Sequence, residues 1–228
     1  MSISEKLTTI AENEQKVYDA GKQAEYDAFW DDFQQNGKKT DYRNSFGNRG
    51  WTQAIFKPKY DIRPANASNC FNLALGLIDI RKETIGVDID TSNCTNLDNF
   101  LNAAQSMKYV GVIDTTNCKN LNNILYNMPE LVSVEKLILK NDGSQGITNL
   151  ITYDYELVDI TIEGAIGVSI PINSCTKLSH DSLMSFINAL YDYKGSGKTY
   201  TLTLGSTNLA KLTDAEKAVA TEKGWTLA

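Results

Sequence analysis

The sequence predicts an α/β solenoid with a repeat of about 24 residues, flanked by a long N-terminal helix and a C-terminal α/β cap. Cys70, Cys94 and Cys118 are 24 residues apart, and each lies in an Asn-Cys-x-Asn-Leu motif. Short β-branched segments recur about one repeat apart, at 87–89, 110–113, 137–139 and 160–162. A fixed period of about 20–29 residues with spaced leucines is typical of leucine-rich-repeat solenoids, whose stacked coils bury their repeated positions.

The repeated motif predicts a ladder of side chains stacked from one coil to the next. Its members share the motif positions Asn, Cys and Leu: Asn69, Cys70, Leu73, Asn93, Cys94, Leu97, Asn117, Cys118 and Leu121. The cysteines are expected to pack as free thiols, which is favoured over a disulfide between stacked coils. The asparagines are expected to bond backbone groups that each turn leaves exposed.

The later coils keep the predicted strands but lose the motif. One period after Cys118 the chain has Asp142, in a turn sequence, and Cys175 resembles a displaced last copy. The interval between Cys118 and Cys175 exceeds two periods, which predicts longer loops or an insertion. The repeats are therefore assigned to residues 66–178.

Residues 1–37 are predicted to be a helix for attachment or oligomerisation. Apolar residues recur at three- and four-residue steps over 4–35, with a candidate N-cap at Ser4 and a stop signal at 36–37. A homo-oligomer formed through this helix and packing on the body of the same chain are equal alternatives, because Glu14 falls on the apolar stripe.

Residues 38–65 are rich in aromatic side chains and are assigned to a linker and N-terminal cap. These side chains could form a stacking platform for a sugar or base, but a lid over the first coil is favoured, because the apolar end of a repeat stack must be covered. The aromatic residues are Tyr42, Phe46, Trp51, Phe56 and Tyr60.

Residues 179–228 are predicted to form the C-terminal α/β cap. Ser179 is the expected N-cap of an amphipathic helix, and residues 200–204 alternate like a strand. Thr213 begins a capping box, and the helix that follows ends at Gly224.

Two features of this cap could indicate catalysis, and neither is favoured. His180, the single histidine, lies in the first turn of the first cap helix and is interpreted as structural. Residues 195–199 end like a phosphate-binding loop, but Asp192 occupies the place of the required first glycine. A hairpin loop is the better interpretation, because a predicted strand follows it.

Composition argues against several classes of function. The 228 residues carry 22 Lys and Arg against 28 Asp and Glu, a net charge of −6, whereas a nucleic-acid partner needs a basic face. No apolar run approaches the roughly 18 residues of a spanning helix, and the first residues lack the pattern of a secretory signal. One histidine is too few for a His-rich metal centre, so no metal and no cofactor is predicted.

The repeats resemble BspA-like leucine-rich repeats, a cysteine-containing class common in surface proteins of gut and oral bacteria. This resemblance covers about residues 66–178 and implies a repeat class rather than a ligand. The flanks are similar to uncharacterised proteins of gut Firmicutes and their prophages, at residues 6–18, 57–64 and 209–217. The resemblance implies a tail-associated or exported recognition protein and carries over no catalytic residue. Surface members of the class have export signals and wall anchors that this sequence lacks, and a virion component released by lysis would not need them.

The sequence thus predicts a non-enzymatic recognition or adhesion module that binds protein or glycan on a cell surface, for instance in a phage tail. Its candidate ligand contacts are polar positions that lie outside the apolar ladder: Asp88, Asp90, Thr91, Asp114, Thr115, Thr116 and Lys140.

Three alternatives accompany this prediction. Asp90 and Asp114 could form a stacked cation site, although hydrogen bonds within their own turns are favoured. The protein could instead be a structural spacer of a phage tail, attached through its N-terminal helix. A carboxylate-based glycosidase is the least favoured, because its two carboxylates must flank a cleft at a defined separation.

Overall fold

The computed structural model describes residues 3–35 and 40–228 of the chain. The helices and strands follow in the order α1 (Ile3–Gln35), α2 (Lys82–Ile85), β1 (Tyr109–Asp114), β2 (Asn120–Asn122), β3 (Ser133–Ile138), β4 (Gly146–Thr148), β5 (Asp159–Glu163), β6 (Ile170–Pro171), α3 (His180–Asn188), β7 (Tyr200–Thr203), α4 (Gly205–Leu209), α5 (Asp214–Glu222) and β8 (Trp225–Leu227). All strand pairings are parallel.

The prediction of a leucine-rich-repeat solenoid is wrong. Beside one long helix, the described residues form three separate small sheets, β1-β3-β5, β2-β4 and β6-β7-β8, and no solenoid sheet joins them. Three of the four predicted strands overlap β1, β3 and β5. Residues 87–89 make only an isolated bridge, from Ile89 to Ile62.

Residues with a left-handed backbone recur along the chain, and two of them directly follow β2 and β4. In each of five successive turns one asparagine has a φ between 50° and 55° at the first of two left-handed positions: Asn44, Asn69, Asn99, Asn123 and Asn149. A second residue with positive φ follows four positions later in each turn: Asn48, Leu73, Ala103, Asn127 and Tyr153. Because a residue in this region cannot continue an extended strand, each turn bends at two fixed points.

Hydrogen bonds join successive turns at these asparagines. The N–H of Asn99 donates to the carbonyl of Asn122 at 2.8 Å, and the N–H of Asn123 donates to the carbonyl of Thr148 at 2.9 Å. The side-chain Nδ2 of Asn123 donates to Oδ1 of Asn99, and Nδ2 of Asn149 donates to Oδ1 of Asn123, both at 3.0 Å. We call Asn99, Asn123 and Asn149 the amide row.

The first copy of the cysteine motif occupies a different place in its turn from the other two. The N–H of Asn69 donates to the carbonyl of Asp98 at 2.8 Å, which aligns Cys70 with Phe100 rather than with Cys94. Corresponding left-handed asparagines are 30 residues apart here and 24 apart in the next turn. The equal cysteine spacing therefore conceals an insertion.

This shift explains where the residues of the predicted ladder lie. Cys94, Leu97, Cys118 and Leu121 are fully buried, and Sγ of Cys118 donates to the carbonyl of Cys94 at 3.2 Å. The prediction that Leu73 belongs to the buried ladder is wrong, because this residue has a φ of 59° and its side chain is 39% exposed. All four cysteines of the chain are buried free thiols.

The ladder asparagines behave differently from one another. Nδ2 of Asn117 donates to the carbonyl of Ser92 at 2.6 Å, the kind of backbone contact that the sequence predicts. The side chains of Asn69 and Asn93 make no hydrogen bond within residues 3–35 and 40–228.

Helix α1 covers the predicted range 4–35 and begins one residue earlier, so Ser4 lies inside the helix and is not its N-cap. The predicted stop signal at 36–37 lies outside the described residues. Residues 4–21 are exposed, whereas Tyr26 and Trp30 are buried in the body of the protein.

The aromatic segment packs between α1 and the first turns. The ring centroids of Tyr26 and Trp51 are 4.9 Å apart, and those of Phe46 and Phe71 are 5.0 Å apart. Among the predicted lid residues, Tyr60 is partly exposed and the others are buried: Tyr42, Phe46, Trp51 and Phe56. This burial agrees with a covering role and not with an open stacking platform.

The C-terminal elements begin and end close to their predicted positions. Ser179 caps α3, Thr213 and Glu216 form the capping box of α5, and Gly224 has a φ of 83° just after that helix. Nε2 of His180 lies 2.9 Å from Oε1 of Glu216, so the histidine joins α3 to α5.

Candidate recognition surface

Strand β5 carries polar side chains in regular alternation on the outward face of sheet β1-β3-β5. In β5, Ile160 and Ile162 point into the core, while Asp159, Thr161 and Glu163 are exposed. This period of two follows from the pleat of a strand. We call the following exposed or half-buried residues the strand face: Gly111, Val112, Glu135, Asp159, Thr161 and Glu163.

The structure brings four of the seven predicted ligand contacts together. A shallow pocket of about 290 Å³ beside the strand face is lined by Asp88, Asp90, Thr91 and Asp114, together with Val112. Asp90 and Asp114 are 24 residues apart in the sequence, and both line this one pocket.

Two of the predicted contacts are structural, which corrects the sequence prediction. Thr91 and Thr115 are buried. Oγ1 of Thr91 accepts the N–H of Asp114 at 2.8 Å, and Oγ1 of Thr115 donates to the carbonyl of Ile138 at 2.7 Å. The buried Gln145 donates to the carbonyl of Thr115 at 2.7 Å. These threonines hold adjacent turns together, and their hydroxyls are engaged in those bonds.

Asp90 and Asp114 cap their own turns, as the simpler interpretation predicted. Oδ1 of Asp90 accepts the N–H and hydroxyl of Ser92, at 3.1 and 2.6 Å. Oδ1 of Asp114 accepts the N–H and hydroxyl of Thr116, at 2.9 and 2.7 Å. The hydroxyl of Thr116, another predicted ligand contact, is therefore engaged in its own turn. The hydroxyl of Ser92 is the main reason that the pKa of Asp90 lies below its usual value.

The second oxygens of these aspartates differ. Oδ2 of Asp90 accepts from Arg63 at 2.9 Å, whereas Oδ2 of Asp114 has no partner within the described residues. Asp88 forms a 3.5 Å ion pair with Lys82. Lys140 is half-buried, does not line the pocket, and donates its N–H to Oε1 of Gln145 at 2.8 Å.

Sequence reasoning missed the carboxylates in the middle of the strand face. A second pocket of about 260 Å³ is lined by Glu135, Asp159, Thr161 and Asp181 among others. The alternation of β5 could have identified Asp159 and Thr161, but these positions do not repeat at the cysteine period.

Cations beside the strand face are engaged by carboxylates other than Glu135 and Asp159, although the charge of Glu135 helps to raise the pKa of Arg81. Arg81 is paired with Asp79 at 2.7 Å and lies over the ring of Tyr109 at 4.6 Å. Lys136 is paired with Glu163 at 2.9 Å. Within the described part of the chain, Glu135 and Asp159 form no ion pair or hydrogen bond through their carboxylates.

Over the same described ranges, no group of His, Cys, Asp and Glu side chains is arranged to hold a metal ion. Among the helices described, none combines the length and apolar character needed to cross a membrane. No family model, curated protein or solved structure matches the chain.

Proposed function

We propose that this protein is a non-enzymatic recognition module that binds a protein or glycan partner on a cell surface through the strand face. The observation that supports this proposal is the exposed pair Glu135 and Asp159, which stand unpaired on a fixed parallel sheet beside two shallow pockets. Unpaired carboxylates on a rigid surface favour partners with cationic or hydrogen-bond donor groups. The flank resemblance to prophage proteins supports a place in a phage tail as a receptor-binding component.

Catalysis is not part of the proposal. Oδ1 of Asp90 and Oδ1 of Asp114 are occupied by turn hydrogen bonds, and His180 is paired with Glu216 on the surface of the cap. A glycosidase needs two carboxylates on opposite sides of a cleft, whereas Asp90 and Asp114 line the same shallow pocket.

The direct test removes the free charge without changing side-chain size. We expect the double variant Glu135→Gln/Asp159→Asn to bind intact gut Firmicutes cells at least about tenfold more weakly than the unmodified chain, measured with fluorescent protein by flow cytometry. Because both side chains are exposed and unpaired, the melting temperature should be unchanged.

The matched control neutralises two carboxylates on exposed helix α1, in Glu12→Gln/Glu14→Gln. This variant should bind as the unmodified chain does. Equal cell binding by all three proteins, or an absence of binding to every strain of a broad panel, would contradict the proposal.

A structural role in tail assembly is the second candidate, and one observation favours it. Leu7, Ile10 and Val17 are 62%, 53% and 74% exposed on α1. At about 100° per residue these side chains lie on the side of the helix opposite Tyr26 and Trp30. The stripe is thus free for contact with another helix.

Solution mass distinguishes this candidate. If α1 joins copies of the chain, the full chain is an oligomer and Leu7→Glu/Val17→Glu is a monomer, while Thr8→Glu remains oligomeric. A monomeric full chain would remove the argument for self-association.

A further inference from the structure

A polar cavity of about 470 Å³ lies where helix α1 meets the first turns, away from the strand face. Its wall includes Lys22 and Glu25 of α1 and three left-handed asparagines, Asn44, Asn48 and Asn69. We call it the amide pocket. Its volume falls in the range of about 300–1,000 Å³ that is usual for small-molecule sites.

The charged groups of the amide pocket compensate one another. Nζ of Lys22 donates to Oε2 of Glu25 at 3.1 Å and to the carbonyl of Arg49 at 2.7 Å. Nη1 of Arg49 donates to Oε1 of Glu25 at 3.3 Å. The guanidinium of Arg49 also lies over Trp51, 5.2 Å from the ring centroid. One wall is therefore held in place with no free carboxylate.

The side-chain amides of three asparagines in the pocket are free to bond a ligand. Asn44 and Asn69 have the same backbone conformation as the amide row, but their side chains make no hydrogen bond within residues 3–35 and 40–228, and neither does that of Asn48. The side chains of Asn69 and Asn99 do not bond each other as those of Asn99 and Asn123 do. Asparagine occupies the first left-handed position of each of the five turns, and two of these five amides, with that of Asn48, line this cavity.

From this arrangement we infer that the amide pocket binds a saccharide. Each carboxamide offers one acceptor oxygen and two donor hydrogens, and each sugar hydroxyl both donates and accepts. Three amides around one cavity can therefore bond adjacent hydroxyls of a sugar ring. An apolar ligand fits poorly, because among the described residues of the lining Leu73 is the one large apolar side chain. An anion would meet Glu25 and two cations that are already paired.

This inference rests on the proposed function in treating the protein as a recognition module, but its residues are separate from the strand face. The pocket would supply the glycan part of recognition at the α1 end of the molecule. Its failure would leave the strand-face proposal in place.

The test uses the full chain on an array of immobilised neutral and acidic glycans, followed by titration of the best free saccharide. The informative variant is Asn44→Gly/Asn69→Gly, because glycine keeps the left-handed backbone while it removes both amides. Loss of two hydrogen-bonding groups should weaken binding by about tenfold or more.

Two controls make the result specific. Asn127→Gly removes a left-handed asparagine outside the pocket and should leave saccharide binding unchanged, with all melting temperatures recorded. Glu135→Gln/Asp159→Asn should also keep saccharide binding, whatever it does to cell binding. No bound glycan on the array, or equal binding by Asn44→Gly/Asn69→Gly and the unmodified chain, would overturn the inference.

Discussion

The carboxyl group of Asp154 is fully buried and incompletely bonded. Oδ1 accepts the N–H of Met128 at 2.8 Å, while Oδ2 has no hydrogen-bond partner among the described residues. Burial raises the pKa of Asp154 well above its usual value, so the folded protein favours the neutral acid. Burial, and then the charge of Asp154, also raises the pKa of Cys175 to about 12.

Asp154 should make stability depend on pH. Above about pH 4 the unfolded chain has released this proton and the folded chain has kept it, so the free energy of unfolding falls as pH rises toward the folded pKa. We expect Asp154→Asn to gain stability over the unmodified chain by up to about 1.4 kcal/mol per pH unit in that window. Urea unfolding at pH 5 and pH 8 measures the difference, and a constant difference would contradict the assignment.

Gly167 marks a close approach of two backbone segments. A Cβ at this position would collide with the carbonyl of Gly143, which a rigid buried turn cannot easily move. Gly167→Ala should therefore lower the free energy of unfolding by about 1–3 kcal/mol. Gly21→Ala is the control, because a Cβ in exposed α1 meets nothing within 4 Å and should raise helix stability by about 1 kcal/mol. Similar small effects in both variants would show that the turn relaxes freely.

At the scale of helices and strands, short sequence motifs predicted the features that form between residues close in the sequence. The helix caps at Ser179 and Thr213 are hydrogen bonds between residues three apart, so the sequence contains both partners side by side. Asp90 and Asp114 are similar, since each bonds a residue two positions later. Glu216 and His180 are 36 residues apart in the sequence, so their pairing could not be predicted from residue spacing.

The capping box of α5 offers a test at this scale. Thr213→Ala removes the hydroxyl that accepts the N–H of Glu216, and should cost about 1 kcal/mol in the free energy of unfolding. The hydrogen bonds of the capping box lower the pKa of Glu216, chiefly through the N–H of Thr213. The stability that the capping box contributes should therefore decline as the pH falls through the folded pKa of Glu216. Thr221→Ala, an exposed change near the end of the same helix, should stay within about 0.5 kcal/mol. Denaturant unfolding at pH 7 and pH 3 measures both free energies. Equal effects of the two variants would contradict the stabilising role of the capping box.

At the scale of the whole molecule, sequence periodicity predicted more regularity than the structure has. The spacing of Cys70, Cys94 and Cys118 is equal, but an insertion places Cys70 out of phase, which leaves Leu73 on the surface. Periodicity indicates one continuous sheet, whereas the strands form three, and left-handed residues directly follow β2 and β4. A repeated motif gives the residue types and their spacing along the chain. The position that each residue takes within its turn depends instead on contacts with neighbouring turns.

The candidate sites were predictable to different extents for the same reason. The pocket at Asp88, Asp90 and Asp114 could be predicted because repeated positions stack. The amide pocket could not, since it joins α1 to residues 44–73, and those contacts depend on how the aromatic segment packs.

The most direct measurement of the central claim is equilibrium binding of a variant that blocks the strand face. Thr161→Arg places a long cation in the middle of that face, and Thr148→Arg makes the same change at an exposed position of β4 in another sheet. If the strand face binds the partner, Thr161→Arg loses binding to cells that the unmodified chain recognises, while Thr148→Arg retains it and both variants remain folded. Undiminished binding by folded Thr161→Arg would contradict the account.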